Sequence, residues 1–413
     1  IATITNAQIT GSGTSGYIPK FTGSTSIANS STPIYENGTG IGIGTTSPGH
    51  KLDVNGSINI ASGNSFKINA IPVINGSSAS SDYIGAYAGY YASGLNNALY
   101  GYSSGWKITG SNNTCLGQWA AGENTSGSGN TVGGFQSGYY SGSGSNNTIF
   151  GKEAGYGVYN ATPNNYSSNS FFGYEAGKGI TTGTLLCFFG YQAGYTNTSG
   201  NYSTFLGSYS GKLNTTGGYN TGVGYGSAVS NTTASYNTAI GHNSLYYNQT
   251  GGQNTACGYQ AGRGFSSLSV AGANNSFFGY HSGVNNDGAS GNTAIGYQAG
   301  LGIRTGSNNT FLGYNADVTG AGSTTYTNAT AIGNGALVNA SNKVRLGNTS
   351  VTVIEGTPAS YTSSSDGRFK FNVTESSVKG LEFITKLRPI NYQWDTKAFE
   401  EFLLRNMPDS IKL

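Results

Sequence analysis

Carboxylates, the groups on which most hydrolytic chemistry depends, are rare in the middle of this chain. Between residues 86 and 340 the acidic side chains are only Glu123, Glu153, Glu175, Asp287 and Asp317. Glu153 and Glu175 hold the same position in successive copies of a sequence repeat, so they would stack roughly 5 Å apart if each copy forms one coil. That separation suits the two carboxylates of a retaining glycosidase. Like charges on equivalent coils are more often simply exposed, so hydrolysis of an external substrate is the least favoured function.

A serine and a lysine near the C-terminal end of the sequence form a second candidate pair. Ser365 and Lys370 lie five residues apart. A serine hydroxyl can act as a nucleophile when a lysine of lowered pKa accepts its proton. Serine is so abundant in this chain that the spacing alone carries no meaning, and the case for this pair rests on the sequence around it.

The cysteines and histidines do not form a metal site or a redox motif. Cys115, Cys187 and Cys257 fall in three different positions of the repeat, near its apolar end, and none belongs to a C-x-x-C pair. We therefore predict buried thiols and no disulfide. The three histidines are scattered without metal-ligand spacing, so we predict no metal and no cofactor.

Fifteen copies of one short motif organise residues 81–340, and the clearest copy is Asn292–Gly300, with the sequence NTAIGYQAG. Positions in each copy are counted from an anchor glycine. The commonest spacing between successive anchors, in residues, is that from Gly173 to Gly190. A period that regular is typical of a solenoid, in which each repeat packs on its neighbours. The anchor glycines are residues 85, 101, 117, 134, 151, 173, 190, 207, 224, 241, 258, 279, 296, 313 and 333.

The positions around the anchor predict the structure of one coil. Asn lies four residues before it in 11 copies, Thr or Ser three before it in 12, and Ala or Ser three after it in all 15. Positions −3, −1 and +1 lie on the same side of an extended strand, as in a strand with one packed face. We expect the −4 asparagines to form a ladder of side-chain amides. The anchor and the +4 glycines suit turns of positive φ, and the small +3 row predicts close approach by a neighbouring chain.

Three longer repeats predict loops along one edge of the solenoid. The extra residues lie in 156–168, 263–274 and 318–329, always between the small-residue element and the next Asn-Thr. Tyrosine offers a flat ring and a hydroxyl to glycans and proteins alike. The candidate binding residues are Tyr156, Tyr159, Tyr166 and Tyr326. Tyrosine also occupies position +1 in eight copies, where it could instead coat the solenoid or pack between chains.

Composition excludes several classes of function. Charged residues are 8% of the chain, against about 25% in an ordinary domain. A net charge of +3 is too small for a nucleic-acid groove, so we predict no nucleic-acid partner. No stretch approaches the roughly 20 apolar residues of a membrane span, so we predict no membrane insertion. The sequence begins at Ile1 without a signal peptide, which leads us to expect a fragment or a processed product.

Four regions of the sequence differ in composition and residue pattern. Residues 1–80 contain short strand-like pieces, residues 81–340 are the repeats, and residues 341–364 hold one alternating run and a Ser/Thr linker. Fifteen of the 35 charges lie beyond residue 365, so residues 365–413 are a separate region. Helical spacing appears there at Ala398, Phe399, Phe402 and Leu403.

The repeats resemble the head repeats of trimeric autotransporter adhesins, whose motif is also Ala-Ile-Gly followed by small residues and glycine. The resemblance implies a left-handed parallel β-roll with one coil per repeat and three chains side by side. This sequence departs from that family in its longer period, its frequent Asn-Thr and its tyrosine after the glycine. A solenoid of the other hand and a monomeric roll stay open as alternatives.

The flanking regions are similar to bacteriophage tail fibres. The phrases are residues 16–22 (GYIPKFT), 40–48 (GIGIGTTSP) and 51–56 (KLDVNG). Residues 365–370 (SDGRFK) and 387–394 (LRPINYQW) resemble the C-terminal intramolecular chaperone of endosialidases and other phage fibres. That domain trimerises the fibre and then cuts itself off, and its serine and lysine match Ser365 and Lys370. Phe371 and Asn372 replace the more usual second charged residue. The similarity covers only part of the domain, from residue 365 to the end of the sequence, so we expect the chain to stop inside it.

These observations predict an all-β, fibrous repeat β-solenoid or β-roll, assembled as a parallel homotrimer, with a short α-containing chaperone segment at 365–413. The predicted function is adhesion to a host cell-surface glycan or protein receptor, with autoproteolysis by Ser365 and Lys370 as the only enzymatic activity. The resemblance places the protein in a virion tail fibre or on a cell surface. A mechanical spacer, a bacterial surface adhesin and a polysaccharide-degrading tailspike are the alternatives.

Overall fold

The structure is a computed structural model that describes residues 40–56, 58, 81–159, 164–265, 271–320 and 325–354, five short strands before residue 76, and residues 401, 404 and 405. The chain divides into two compact units, Ile1–Val351 and Thr352–Leu413. In the second unit, the amide of Arg405 donates a hydrogen bond of 3.1 Å to the carbonyl of Glu401. Helical spacing predicts a helix over residues 398–403, of which only Glu401 is described. The predicted chaperone fold lies outside the described residues.

The described strands are short, and most have three residues. They are β1 (Pro19–Phe21), β2 (Ile27–Asn29), β3 (Ile34–Glu36), β4 (Ile41–Ile43), β5 (Leu52–Val54), β6 (Ser65–Ile68), β7 (Ile71–Asn75), β8 (Asp82–Ile84), β9 (Ala98–Tyr100), β10 (Thr114–Leu116), β11 (Thr131–Gly133), β12 (Thr148–Phe150), β13 (Ser170–Phe172), β14 (Cys187–Phe189), β15 (Thr204–Leu206), β16 (Thr221–Val223), β17 (Thr238–Ile240), β18 (Thr255–Cys257), β19 (Ser276–Phe278), β20 (Thr293–Ile295), β21 (Thr310–Leu312), β22 (Asp317–Val318), β23 (Thr330–Ile332), β24 (Leu337–Val338) and β25 (Val344–Leu346).

A parallel β-solenoid of about fifteen coils forms the repeat region, as predicted. Strands β8 to β21, then β23 and β25, pair one after another in parallel, with equivalent residues side by side; Thr293, for example, lies beside Thr310. The final strand, β25, adds one rung beyond the predicted boundary at residue 340. Before the solenoid, β6 and β7 form an antiparallel pair, and β7 also runs antiparallel to β8.

Most solenoid strands bury only their middle residue; β11 also buries Gly133, and β25 buries none of its three residues. In β21, Phe311 is in the core, while Thr310 is half-buried and Leu312 is exposed. The packed face predicted for the strand therefore exists, but it is formed by the −2 row, and positions −3, −1 and +1 face outward. The −2 rings of Phe171, Phe188 and Phe205 stack within the core, with centroids 5.1 and 5.2 Å apart.

The small +3 row lies inside the core of the chain. All fifteen +3 residues are buried, including Ala176, Ala299 and Ser282. The turn that follows each strand is hydrogen-bonded to the next coil, as where Gly283 donates to the carbonyl of Ala299 at 2.9 Å. The element that approaches the small row is therefore the same chain, so the prediction that a neighbouring chain makes this contact is wrong.

The anchor glycine is required by both backbone conformation and space. Gly296 has a φ of +132°, and a Cβ there would lie 2.5 Å from the carbonyl oxygen of Gly313. The +4 glycines also have positive φ, as predicted. Ala121 and Ala228 replace glycine at +4 and keep φ values of +50° and +49°.

The predicted asparagine ladder is present. The side-chain oxygen of Asn113 accepts a hydrogen bond of 2.9 Å from the backbone amide of Asn130, and the Nδ2 of Asn130 donates 2.9 Å to the carbonyl of Gly144. A second amide column at position +7 was not predicted. There Asn214 donates to Asn197 at 2.8 Å, and Asn231 donates to Asn214 at 2.7 Å. Both columns supply partners for buried polar groups that would otherwise be unsatisfied.

Candidate binding surface

The four tyrosines predicted to bind a ligand have different environments. Tyr159 is 69% exposed, and Tyr156 is half-buried; both rings contact Tyr140, at centroid distances of 5.5 and 5.2 Å. Tyr326 is half-buried at the other end of the solenoid, where it packs against the core. The structure thus brings Tyr156 and Tyr159 together and places Tyr326 near the other end of the solenoid.

Tyr166 is a core residue, so its predicted role on a projecting loop is wrong. Its side chain is fully buried, and its hydroxyl donates a hydrogen bond to the carbonyl of Gly155. Burial raises the pKa of Tyr166 above its usual range. The ring fills the interior beside Phe171, at 6.3 Å between centroids, and offers no face to a ligand.

Ten aromatic rings form one continuous surface over the first five coils, and we call it the aromatic patch. Position +5 carries an aromatic residue in four of these five coils, and the remaining one has Gly122. A Cβ at Gly122 would lie 2.7 Å from the ring of Tyr139 and 3.2 Å from that of Trp119, so the glycine makes room for both. The patch consists of Tyr87, Tyr90, Tyr91, Tyr102, Trp106, Trp119, Tyr139, Tyr140, Tyr156 and Tyr159.

Edge-to-face and tilted contacts dominate in the patch. Neighbouring centroids are 4.5 to 5.8 Å apart, and Tyr139 with Tyr156, at an interplanar angle of 13°, is the one parallel pair among its ring contacts. The charges nearby are paired: Lys107 lies 2.6 Å from Glu123, and its ammonium is 5.5 Å from the ring centre of Trp106. Eight of the ten rings were not predicted as binding residues, although a comparison of the repeats at +5 identifies four of the ten: Tyr90, Trp106, Tyr139 and Tyr156.

The C-terminal half of the solenoid carries a different aromatic arrangement, which we call the stacked column. Its rings occupy position +1 and lie nearly parallel, with centroids 5.1 to 5.2 Å apart and interplanar angles of 6 to 16°. Inner rings of such a stack have both faces covered, so their exposed parts are ring edges and hydroxyls. The members are Tyr225, His242, Tyr259, Tyr280, Tyr297 and Tyr314.

The stacked glutamates are held as a structural ion-pair network. Lys178 lies between them, 2.7 Å from Glu153 and 2.6 Å from Glu175, and Gln192 donates to Glu175 at 2.6 Å. Burial acts to raise the pKa of Glu175, but the hydrogen bonds from Lys178 and Gln192 outweigh it and leave the pKa below its usual value. A glycosidase acid needs a raised pKa, so this arrangement does not provide one.

The remaining candidates either lie outside the described residues or are structural. Ser365 and Lys370 lie outside them. The three cysteines are free; Cys115 is fully buried, which raises its pKa to about 12, but Cys187 and Cys257 are only half-buried. The prediction of buried thiols is therefore confirmed for one of the three. Among the described residues, no group of His, Cys, Asp and Glu is placed to hold a metal ion.

An exposed apolar row runs along the outward strand face, and we call it the outer row. It consists of the −1 residues of the fifteen coils and Leu346 of β25. Ten of these residues have 36 to 48% of their surface exposed, and Gly133 is the one buried member. Members include Leu206, Ile295 and Leu312. Monomeric proteins seldom expose a contiguous apolar patch larger than a few hundred square ångströms.

No helix in the described part of the chain has the length and apolar character that a membrane crossing requires. A scan against protein-family models gives no match to this chain, and a search of curated proteins gives none either.

Proposed function

We propose that this chain is the subunit of a fibre that self-associates in parallel as a homotrimer and binds a glycan or protein receptor on a cell surface. The observation that carries the proposal is the outer row. It follows the solenoid from its first coil to its last, and no part of the described chain covers it.

The area of the outer row is sufficient for a stable interface. A large side chain exposes about 200 Å² when free, so the ten members exposed by roughly two-fifths amount to on the order of 800 Å². A standard protein interface buries about 800 Å² on each partner. Because equivalent residues are in register along the strands, parallel copies can place one row beside another over the full length.

The number of copies is taken from sequence resemblance. The repeats resemble adhesin heads in which three chains lie side by side, and residues 365–413 resemble a domain that trimerises phage fibres. In this proposal, the Ser365 hydroxyl gives its proton to Lys370 and attacks an adjacent peptide carbonyl, and that peptide bond breaks as its nitrogen takes up the proton. Water then hydrolyses the resulting ester, and the chaperone segment is released after assembly. The same resemblance favours a virion tail fibre, with a bacterial surface adhesin as the alternative.

Receptor binding is assigned to the irregular parts of the solenoid. A stack of equal coils offers the same groups on every rung, whereas the insertions at 156–168 and 318–329 break the pattern. Tyr159 is well exposed at the first of these. In a trimer each site occurs three times, so weak sites gain roughly 10²-fold or more in avidity on a dense receptor. A purely mechanical spacer would have the same core and the same outer row.

Adsorption to cells tests the binding role. The full chain with an N-terminal fluorescent tag is mixed with a panel of bacterial strains, and a variant is compared in which 156–168 and 318–329 are shortened to the commonest step of the repeat. We expect the shortened chain to keep its circular dichroism spectrum and lose adsorption. Shortening 263–274 alone is the matched control. Equal adsorption by all forms would show that the loops are spacers.

A further inference from the structure

We infer that the aromatic patch on the first five coils is a binding site for a neutral oligosaccharide. This inference rests on the binding role proposed above and adds a ligand class and a set of rings. Eight of the ten rings precede the insertion at 156–168, so the site extends over the regular coils, where no loop is needed to form it.

Ring geometry is the first argument. Sugar rings bind aromatic side chains through their C–H groups, which carry partial positive charge and lie against the negative face of the ring. In the patch, the edge-to-face contacts turn neighbouring rings in different directions, as in the 90° angle between Tyr90 and Tyr91. Tyr91 is 59% exposed, and Trp106 beside it is tilted by 41°. An edge-to-face contact covers a face of only one of its two rings, so this packing covers fewer ring faces than parallel stacking does.

The stacked column provides an internal contrast. Tyr297 lies between Tyr280 and Tyr314, at 5.1 Å from each and within 9° of parallel. Its faces are both covered, although its exposed fraction of 42% is close to the 45% of Tyr102 in the patch. Aromatic content alone would make both surfaces candidates, but the patch rings meet mostly edge to face and the column rings meet face to face.

The charged side chains near the aromatic patch favour a neutral ligand over a charged one. The ionisable acids and bases from residue 86 to residue 159 are two lysines and two glutamates, Lys107, Glu123, Lys152 and Glu153. Lys107 pairs with Glu123 at 2.6 Å, and Lys152 lies 3.5 Å from Glu153, which also pairs with Lys178 at 2.7 Å. An acidic glycan or a nucleic acid would need unpaired cations, which this surface does not offer.

The phenol hydroxyls supply polar contacts without charge. Burial and the neighbouring Tyr156 raise the pKa of Tyr140 to about 12, so this phenol stays protonated at any physiological pH. A protonated phenol both donates and accepts a hydrogen bond, which matches the hydroxyl groups of a sugar. Five coils at about 4.8 Å each span roughly 20 Å between the first and the last, enough for several sugar units in a row.

The test is a glycan array probed with the tagged full chain and three variants. Tyr91→Ala and Trp106→Ala remove patch rings, and Tyr297→Ala removes a ring of the stacked column as the matched control. We expect retention on one or more neutral glycans. Each patch variant should bind those glycans roughly tenfold more weakly, the factor that corresponds to about 1.4 kcal/mol. Tyr297→Ala should bind as the wild type does.

Three outcomes would overturn the inference: no retained neutral glycan, retention on acidic glycans alone, or equal retention by the patch variants. If Trp106→Ala does not fold, the exposed Tyr91→Ala decides alone. Quenching of tryptophan fluorescence by the retained glycan gives a second readout, because Trp106 and Trp119 both belong to the patch. Glycan retention without cell adsorption would keep this inference and reject the loop-based receptor site, so the two proposals fail separately.

Discussion

Replacement of Lys178 by methionine should destabilise the coils around it, because the lysine neutralises two stacked glutamates. The ammonium lies 2.7 Å from Glu153 and 2.6 Å from Glu175. Without it, two carboxylates on adjacent coils face each other at roughly 5 Å, which corresponds to about 3 kcal/mol of repulsion at an effective dielectric constant of 20. The three side chains are 9 to 26% exposed, so partial screening leaves an expected loss of about 2 to 3 kcal/mol.

Hydrogen exchange is the suitable assay, because repeat proteins can open locally without unfolding as a whole. The amides of Glu153 and Glu175 donate to the preceding coil at 2.9 Å each, and they report directly on this region. A loss of about 2 to 3 kcal/mol corresponds to roughly 30- to 150-fold faster exchange. Lys212→Met is the matched control, since this lysine occupies the same repeat position and lies 4.7 Å from the ring centre of Tyr209, outside any described ion pair.

The pH dependence of stability tests whether the effect of Lys178 is electrostatic. The folded pKa of Glu175 lies below its ordinary value, so its stabilising contribution is present above the unfolded pKa and is lost as the pH falls through the folded pKa. In Lys178→Met, repulsion instead raises the carboxyl pKa values, and acid relieves the repulsion. The gap between variant and wild type should therefore shrink from pH 7 to pH 4. A gap that stays constant, or no effect at pH 7, would refute the electrostatic account of this network.

The remaining predictions concern the backbone, a buried carboxylate and maturation. Gly296→Ala should cost roughly 4 kcal/mol or more by thermal unfolding, because the new Cβ meets a carbonyl oxygen, whereas Gly300→Ala should cost about 1 to 2 kcal/mol. Equal costs would contradict the stacking of anchor glycines. Burial raises the pKa of Asp317 to about 6, so the wild type should gain stability as the pH falls through 6, and Asp317→Asn should be about 2 to 3 kcal/mol more stable at pH 7 with that dependence abolished; a less stable variant would refute this. On a denaturing gel, Ser365→Ala and Lys370→Ala should each give one uncut band; an equally uncut wild type would show that the pair is inactive.

The sequence predicted the solenoid because its signals are local and repeat with each coil. An asparagine at −4, a small residue at +3 and a glycine at the anchor recur often enough to identify the coil without any long-range information. The ladder from Asn113 to Asn130 and the positive φ of Gly296 follow directly from that register. The sequence left open which side of the strand faces the core, since both Phe311 and Leu312 are apolar. Only the closed coil shows which of them is inside.

The surface was harder to predict than the core. Tyr166 lies in an insertion, but its ring turns inward because the coil has space beside Phe171. The aromatic patch depends on contacts between adjacent coils, such as Trp106 with Trp119 and Trp119 with Tyr139. Such contacts appear in the sequence only when positions +2 and +5 are compared across repeats, because single aromatic residues are frequent throughout this chain.

The mass of the folded particle tests the central claim most directly, namely that the outer row is an interface between copies. Sedimentation equilibrium of the Ser365→Ala chain, chosen to keep the subunit uncut, should give three times the 42.4 kDa chain mass. Replacing two exposed members of the row, as in the double variant Ile295→Lys/Leu312→Lys, should place six lysines in the interface and shift the mass to that of a single chain. A single-chain mass for the parent at every concentration, or an unchanged trimer in the double variant, would contradict the account.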